Sequence, residues 1–270
     1  MKISLVKTSL SIAALSLASS LASAGIMTLT GTIYDKIAAE PDFQDGISGV
    51  KTGLVSTMLN GSGVPDYIGP GGNTAASGNI QSAASFSNWW KDTNGTKAFS
   101  LDLTETATPG VFNYSNSAFF PIDGQLAGNE GNSHNYHFTM HLQGKTTFKT
   151  TDAFSFTGDD DLWVYINNKL VMDIGGVHGP ASSSITGADL AALGLAEDTE
   201  YDLDIFFAER HLVLSNFNIT TSFRVKECPP NDRQCNPPPP PPVEVPEPAS
   251  LALLGIGLLG LGAARRRINR

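Results

Sequence analysis

The sequence predicts an all-β chain folded as an antiparallel β-sandwich with short helices. Three observations carry this. Apolar residues recur with a period of two over most of residues 25–226, as half-buried strands require. The runs between them are rich in glycine, asparagine and serine, the residues of tight turns and surface loops. Only 16% of residues are charged while 41% are hydrophobic, a balance that suits a packed β domain better than a disordered chain.

Residues 28–34 (TLTGTIY), 98–103 (AFSLDL) and 136–142 (YHFTMHL) alternate as strands with one buried face. Residues 154–156 lead into 162–166 (LWVYI), then Asn167-Asn168, then 170–174 (LVMDI). Adjacent asparagines accept the positive φ of a two-residue turn, so 162–174 is predicted to be a β-hairpin. Residues 201–207 and 217–225 are expected to form a further strand pair. Only residues 186–195, with Asp189-Leu190-Ala191-Ala192-Leu193 before Gly194, read as a helix. Residues 56–87 read as a long surface excursion.

Both ends are addresses rather than fold. Residues 1–24 carry Lys2 and Lys7, then an apolar, serine-rich stretch ending Ala22-Ser23-Ala24, a pattern expected for a secretory signal helix removed by signal peptidase before Gly25. The body, 25–226, gives way to a spacer, 227–245, that contains CPPNDRQC and six prolines, 237–242. Such a run is a stiff polyproline II rod that cannot join a sheet. Cys228 and Cys235, the only cysteines, are expected to form a disulfide in an oxidising compartment. With the basic residues at 2, 7, 265–267 and 270 and Glu244 and Glu247 set aside, 24 acidic residues face 11 basic ones. This acidic balance excludes nucleic acid and an anionic membrane surface as partners of the body.

Residues 246–270 form the last segment. Its uncharged run, 249–264, would span only about 24 Å as a helix, short of the roughly 30 Å hydrocarbon core, so the helix crosses a membrane marginally. Arg265-Arg266-Arg267 would hold its end in the cytoplasm, and a permanent anchor is one reading. The stretch VPEPASLALLGIGLLGLGAARRR, however, resembles the PEP-CTERM sorting signal, with Pro246, Glu247 and Pro248 as its triplet. That resemblance implies recognition by an exosortase, loss of the tail, and export to the cell envelope, cell surface or extracellular polymer of a Gram-negative bacterium. Membrane contact would then be confined to the helix before sorting.

The body carries a second resemblance. LTGTIYDKIAAEPDF, AFFPIDGQLAGNEGNSHNYHFTMHL, FSFTGDDDLWVYINNKLVMDIGGVHGP and YDLDIFFAERHLVLSNFNITTSF together resemble the fibro-slime domain over residues 29–223. That family is similar to the jelly-roll-like, protective-antigen-type sandwich, which includes calcium-dependent lectins of yeast flocculins and modules of toxins and glycosidases. Asn168 stands where relatives carry glycine, and Leu212-Val213-Leu214 is more apolar than the polar loop the resemblance implies.

Asp159-Asp160-Asp161 is the candidate chemistry. On a continuous strand Asp159 and Asp161 would share a face and Asp160 the other, so convergence on one ion needs a break in the strand. The alternative is a solvated acidic turn. In the related lectins an Asp-Asp pair joined by a cis peptide holds calcium, with further oxygens from a second loop. The resemblance implies Asp159, Asp160 and Asn216 as calcium ligands, with Asp161, His178, Glu209, Arg210 and His211 as possible ligand contacts. His134, His137 and His141 do not make a metal centre on a strand, since the last two lie about 13 Å apart. Trp89-Trp90 could stack on sugar rings, but adjacent tryptophans in a β protein usually bury at least one ring.

These features predict a non-enzymatic, calcium-dependent binding or adhesion module for extracellular polysaccharide or cell-surface glycan, with no catalytic residue. The alternatives are a glycoside hydrolase with paired carboxylates, and a structural matrix protein without ligand.

Overall fold

The computed structural model describes residues 25–227. The expected signal segment, Cys228, Cys235, the proline run and Pro246-Glu247-Pro248 lie outside the described residues. The chain forms β1 (Ile26–Asp35), the one-turn helix α1 (Ala83–Phe86), β2 (Thr96–Glu105), β3 (Phe112–Asn116), β4 (Phe138–Thr147), β5 (Ala153–Asp159), β6 (Asp161–Ile166) and β7 (Lys169–Ile174). It continues through β8 (Ala181–Thr186), α2 (Gly187–Ala192), β9 (Tyr201–Glu209), β10 (Asn216–Thr221) and β11 (Arg224–Lys226).

Every strand pairing is antiparallel, in the order β7-β6-β9-β4-β1-β2-β3-β10-β5-β8, with β11 beside β4. β5 is second from one end of this order and β6 second from the other, yet only Asp160 separates them in sequence. The sheet must therefore curl until its halves face one another, which gives the predicted sandwich a barrel-like closure, with the aspartate triplet where the halves meet. Close approach between strands fixes Gly31, where a Cβ would fall 2.0 Å from the His141 carbonyl oxygen.

Two apolar cores use the strand alternation. Leu162, Val164 and Ile166 of β6 and Leu203, Ile205 and Phe207 of β9 join the core between the halves. Trp163, Tyr165, Phe206 and Ala208 point the other way, into a second core with Tyr67, Ile80, Phe86, Trp89 and Trp90. The segment 56–87, expected to be a surface excursion, therefore covers the outer face of β6 and β9. It has little regular structure, but its aromatic and aliphatic side chains remove that face from water.

The predicted hairpin is present as β6 and β7, with Asn167 and Asn168 at φ 53° and 62°. Both residues adopt the left-handed conformation that a type I′ turn needs, and glycine does so with no steric penalty. Asn168→Gly is expected to stabilise the domain, by up to about 1 kcal/mol, read as a raised denaturation midpoint with unchanged slope. The predicted helix forms as α2, where Thr186 Oγ1 accepts the Asp189 N–H at 3.2 Å and Asp189 Oδ2 accepts the Thr186 N–H at 2.9 Å.

The expected pairing of 201–207 with 217–225 is corrected. β9 lies between β4 and β6, whereas β10 lies between β3 and β5 on the other half of the sheet. Residues 210–215 cross between halves instead of turning a hairpin, and alternation reveals a strand without naming its partner.

Candidate metal and ligand site

Two crossings between the halves build the site. In the first, β5 ends at Asp159 and β6 begins at Asp161, and the Asp159–Asp160 peptide is cis. In the second, β9 ends at Glu209 and β10 begins at Asn216, whose backbone pairs with Asp159. One ligand oxygen each from Asp159, Asp160 and Glu209 fall within 4.8 Å of one another, and all three residues are buried.

The neighbours hold this arrangement in place. Asp160 Oδ1 accepts the His178 N–H at 2.8 Å, and its Oδ2 accepts the Arg210 N–H at 3.1 Å. The Asn216 side chain hydrogen-bonds Asp159. Glu209 Oε1 accepts the His211 N–H at 3.3 Å, while Glu209 Oε2 makes no hydrogen bond of normal geometry among the described residues, its one polar neighbour being the Ser215 hydroxyl, which weakly favours the charged form. An unpartnered, fully buried carboxylate oxygen costs free energy unless a cation or proton reaches it.

The electrostatics point the same way. Burial pushes the Asp160 carboxyl well above the usual carboxylate range, opposed by Arg210 and reinforced by Asp161 and Asp159. Burial, then repulsion from Asp160 and Asp159, does the same for Glu209. Asp159 is also raised by burial, against the pull of His178 and hydrogen bonds from Asp160 and Asn216. The group of three carboxylates is thus short of positive charge.

Two expected ligand contacts are placed elsewhere. Asp161 and Arg210 are both 0% exposed and form an internal ion pair, with Arg210 Nε 2.6 Å from Asp161 Oδ2. The guanidinium also donates to the Asp42 and Gly78 carbonyl oxygens, each at 2.9 Å, and lies 4.8 Å over the Trp89 ring. The strand break explains the split: Asp161, already on β6, accepts the Gly176 N–H and pairs with Arg210, while Asp159 and Asp160 group with Glu209. Asp42, which sequence reading did not single out, accepts from Trp89 Nε1 at 3.0 Å and the Gln81 N–H at 2.7 Å. Pro41-Asp42-Phe43 closes one of the resemblance segments, the signal that could have found it.

A recess of about 100 Å³ opens above Asp159 and Asp160, lined by Ile47, Val177, His178, Gly179, His211, Val213 and Leu214. His178 Nδ1 lies 2.7 Å from the Gly179 carbonyl oxygen, so that nitrogen carries the proton. Nε2, buried and without a hydrogen-bond partner, is left for a ligand. His211 is linked through Gln44 to His137 Nε2, and its pKa is lowered by burial and by the charges of His137 and Arg210.

The remaining sequence candidates lie away from the cluster. His134, His137 and His141 are tied separately to Asp123, Glu130 and Asp204. Trp89 and Trp90 are 1% and 8% exposed, so both rings belong to the second core rather than to a sugar platform. A larger cavity, about 420 Å³, lies at the far end of β5 and β10, where Asp198 already holds Lys149 Nζ.

Comparison with known families identifies two segments of this chain. The PA14 domain model matches residues 122–233, a span that holds the aspartate triplet, Glu209 and Asn216. The chain carries a PA14-domain match and a PEP-CTERM sorting motif. The sorting motif matches residues 244–267 and so includes Pro246-Glu247-Pro248.

The chain is homologous to psi proteins of Dictyostelium discoideum, in keeping with the fibro-slime resemblance. It is 37% identical to psiR over 225 residues, or 76% of this chain and 22% of psiR. With psiC it shares 34% over 216 residues, 74% of this chain and 41% of psiC. The chain thus spans less than half the length of these relatives. Among solved structures it resembles the PA14 sugar-binding domain from an RTX adhesin (13% identity, TM-score 0.34, covering 72% of this chain and 89% of that one). It also resembles the epithelial adhesin 9 A domain of Candida glabrata in complex with Galβ1-4GlcNAc (12% identity, TM-score 0.31, covering 78% and 94%).

Proposed function

We propose that this PA14 domain is a non-enzymatic, calcium-dependent carbohydrate-binding module of an exported surface or matrix protein. One observation carries the reading: three buried carboxylates converge within 4.8 Å beneath an open recess, with one Glu209 oxygen making no hydrogen bond of normal geometry. The donor set fits calcium, which takes six to eight hard oxygens. Asp159, Asp160 and Glu209 would supply carboxylate oxygens and Asn216 its side-chain oxygen. Bound calcium would supply positive charge and open positions for sugar hydroxyls. The chain's own part is to fix the carboxylates from two crossings, and to present the unpartnered His178 Nε2 to a ligand hydroxyl, which can hydrogen-bond it in either direction.

Glycoside cleavage suits the site less well. A glycosidase holds its acid and its base or nucleophile on either side of the scissile bond, about 5–9.5 Å apart, in a cleft that admits the chain. Here the carboxylates face one point, within 4.8 Å of one another, and the recess is about 100 Å³.

The PEP-CTERM motif supports export through signal peptidase and sorting by an exosortase, which would leave the domain on the surface of a Gram-negative cell or in its extracellular polymer, as an adhesion or biofilm component. The domain is expected to bind glycans on an array in calcium and to lose them in chelator, with no reducing sugar released from any bound glycan. Release of reducing ends would replace this reading with the hydrolase. Silence in both assays would leave a structural matrix protein.

A further inference from the structure

Nine large hydrophobic side chains are exposed among the described residues, and three of them line one small recess. Ile47, Val213 and Leu214 are 69%, 62% and 50% exposed around the mouth above Asp159 and Asp160, with buried Val177 as an apolar wall. Single exposed apolar residues are ordinary, whereas a group that converges on a recess marks a binding surface. The two loops that supply it are remote in sequence, one before the second core and one between β9 and β10. The floor is the opposite in character, with carboxylates and the unpartnered His178 Nε2. An occupant must therefore offer oxygens at one end and hydrocarbon at the other, within a few ångströms.

We infer that this occupant is a methyl-bearing sugar, a 6-deoxyhexose, seated with ring hydroxyls toward the carboxylates and His178 and its methyl against Ile47, Val213 and Leu214. The inference rests on the calcium-lectin reading and adds the class of sugar. An ordinary hexose would place its hydroxymethyl oxygen against three hydrocarbon side chains, with no partner there to replace water. An acetamido group also offers a methyl, but its N–H and carbonyl come with it and would need partners that the hydrocarbon rim does not supply. A methyl group loses nothing and buries about one carbon of apolar surface. A lipid surface suits the site less well, because the apolar residues rim a recess in an acidic body instead of forming a flat patch.

Two sugar pairs isolate the group in question: L-fucose with L-galactose, and L-rhamnose with L-mannose, each differing only by methyl against hydroxymethyl. Calorimetric titration into calcium-loaded protein is expected to show the deoxy member of at least one pair binding about fourfold more tightly or better. Val213→Ser with Leu214→Ser, both exposed positions, should bring that ratio near one while calcium affinity stays unchanged. Equal binding within each pair, preference for the hydroxymethyl sugar, or calcium bound with no member of either pair bound would overturn the inference and leave the lectin reading to the glycan array. Absence of calcium binding would overturn both. Retention of the unmutated domain on phosphatidylcholine vesicles, lost in the serine variant, would assign the rim to lipid and overturn the sugar assignment.

Discussion

Arg210→Met is expected to lower the melting temperature of the domain by about 6–20 °C. Arg210 and Asp161 are both fully buried, and the guanidinium bridges the triplet to the Asp42 and Gly78 carbonyls. Removing one partner of such a pair leaves a buried charge without compensation, a loss of about 3–5 kcal/mol. For a domain of this size each kcal/mol corresponds to about 2–4 °C. Arg210→Lys is expected to recover little, because an ammonium cannot reach Asp161, Asp42 and Gly78 in one plane as the guanidinium fork does. Asp161→Asn added to Arg210→Met should restore part of the loss, since it removes the uncompensated charge and keeps an acceptor for the Gly176 N–H. Scanning calorimetry of the three variants checks this, and a single variant melting within 2 °C of the unmutated domain would mean the pair carries no such role.

The same triplet shows how far the sequence was legible. Alternation located β1, β2, β4 and β9 because each has a face toward the inner core, and Asn167-Asn168 located the hairpin because its turn needs positive φ. β8 (ASSSIT) escaped because it buries little beyond Ile185, so its apolar signal is one residue long. Residues 162–166 held more information than was taken from them. A strand apolar at every position is covered on both faces, and the cover had to come from elsewhere in the chain: 56–87 and Trp89-Trp90. The Asp159 and Asp160 pair was reached through family resemblance, whereas the separate partners of Asp161 depend on where β6 begins, and strand boundaries are the least readable feature of a sequence. Arg210 looked like a loop cation because its buried partners are remote: Asp161 is 49 positions away and Asp42 168.

Calcium is expected to raise the melting temperature at pH 7–8, and the increment should shrink as the pH falls toward 5. A ligand at a hundredfold over its dissociation constant stabilises the folded state by about 2.7 kcal/mol, or about 5–11 °C here. The pH dependence follows from the carboxyls. Without the ion, burial first and mutual repulsion second hold Asp160 and Glu209 well above their usual values, with Asp159 raised as well. Folded protein then binds protons that the unfolded chain has released at neutral pH. This stabilisation is fully present below the unfolded values near pH 4 and is lost as pH rises through the raised folded values. Calcium requires the ionised forms, so protons displace it in the window where the free domain gains stability, and the two melting curves converge from above. Asp159→Asn with Asp160→Asn should abolish the increment at every pH, whereas Asp102→Asn should leave it intact, because Asp102 sits exposed on β2 with Thr28 Oγ1 as its partner at 2.7 Å. Identical melting curves in calcium and in chelator at pH 8, with no heat on titration at millimolar calcium, would mean that protons alone satisfy Asp160 and Glu209. The cluster would then be a buried acidic turn, and the calcium-dependent reading of the recess would fall with it.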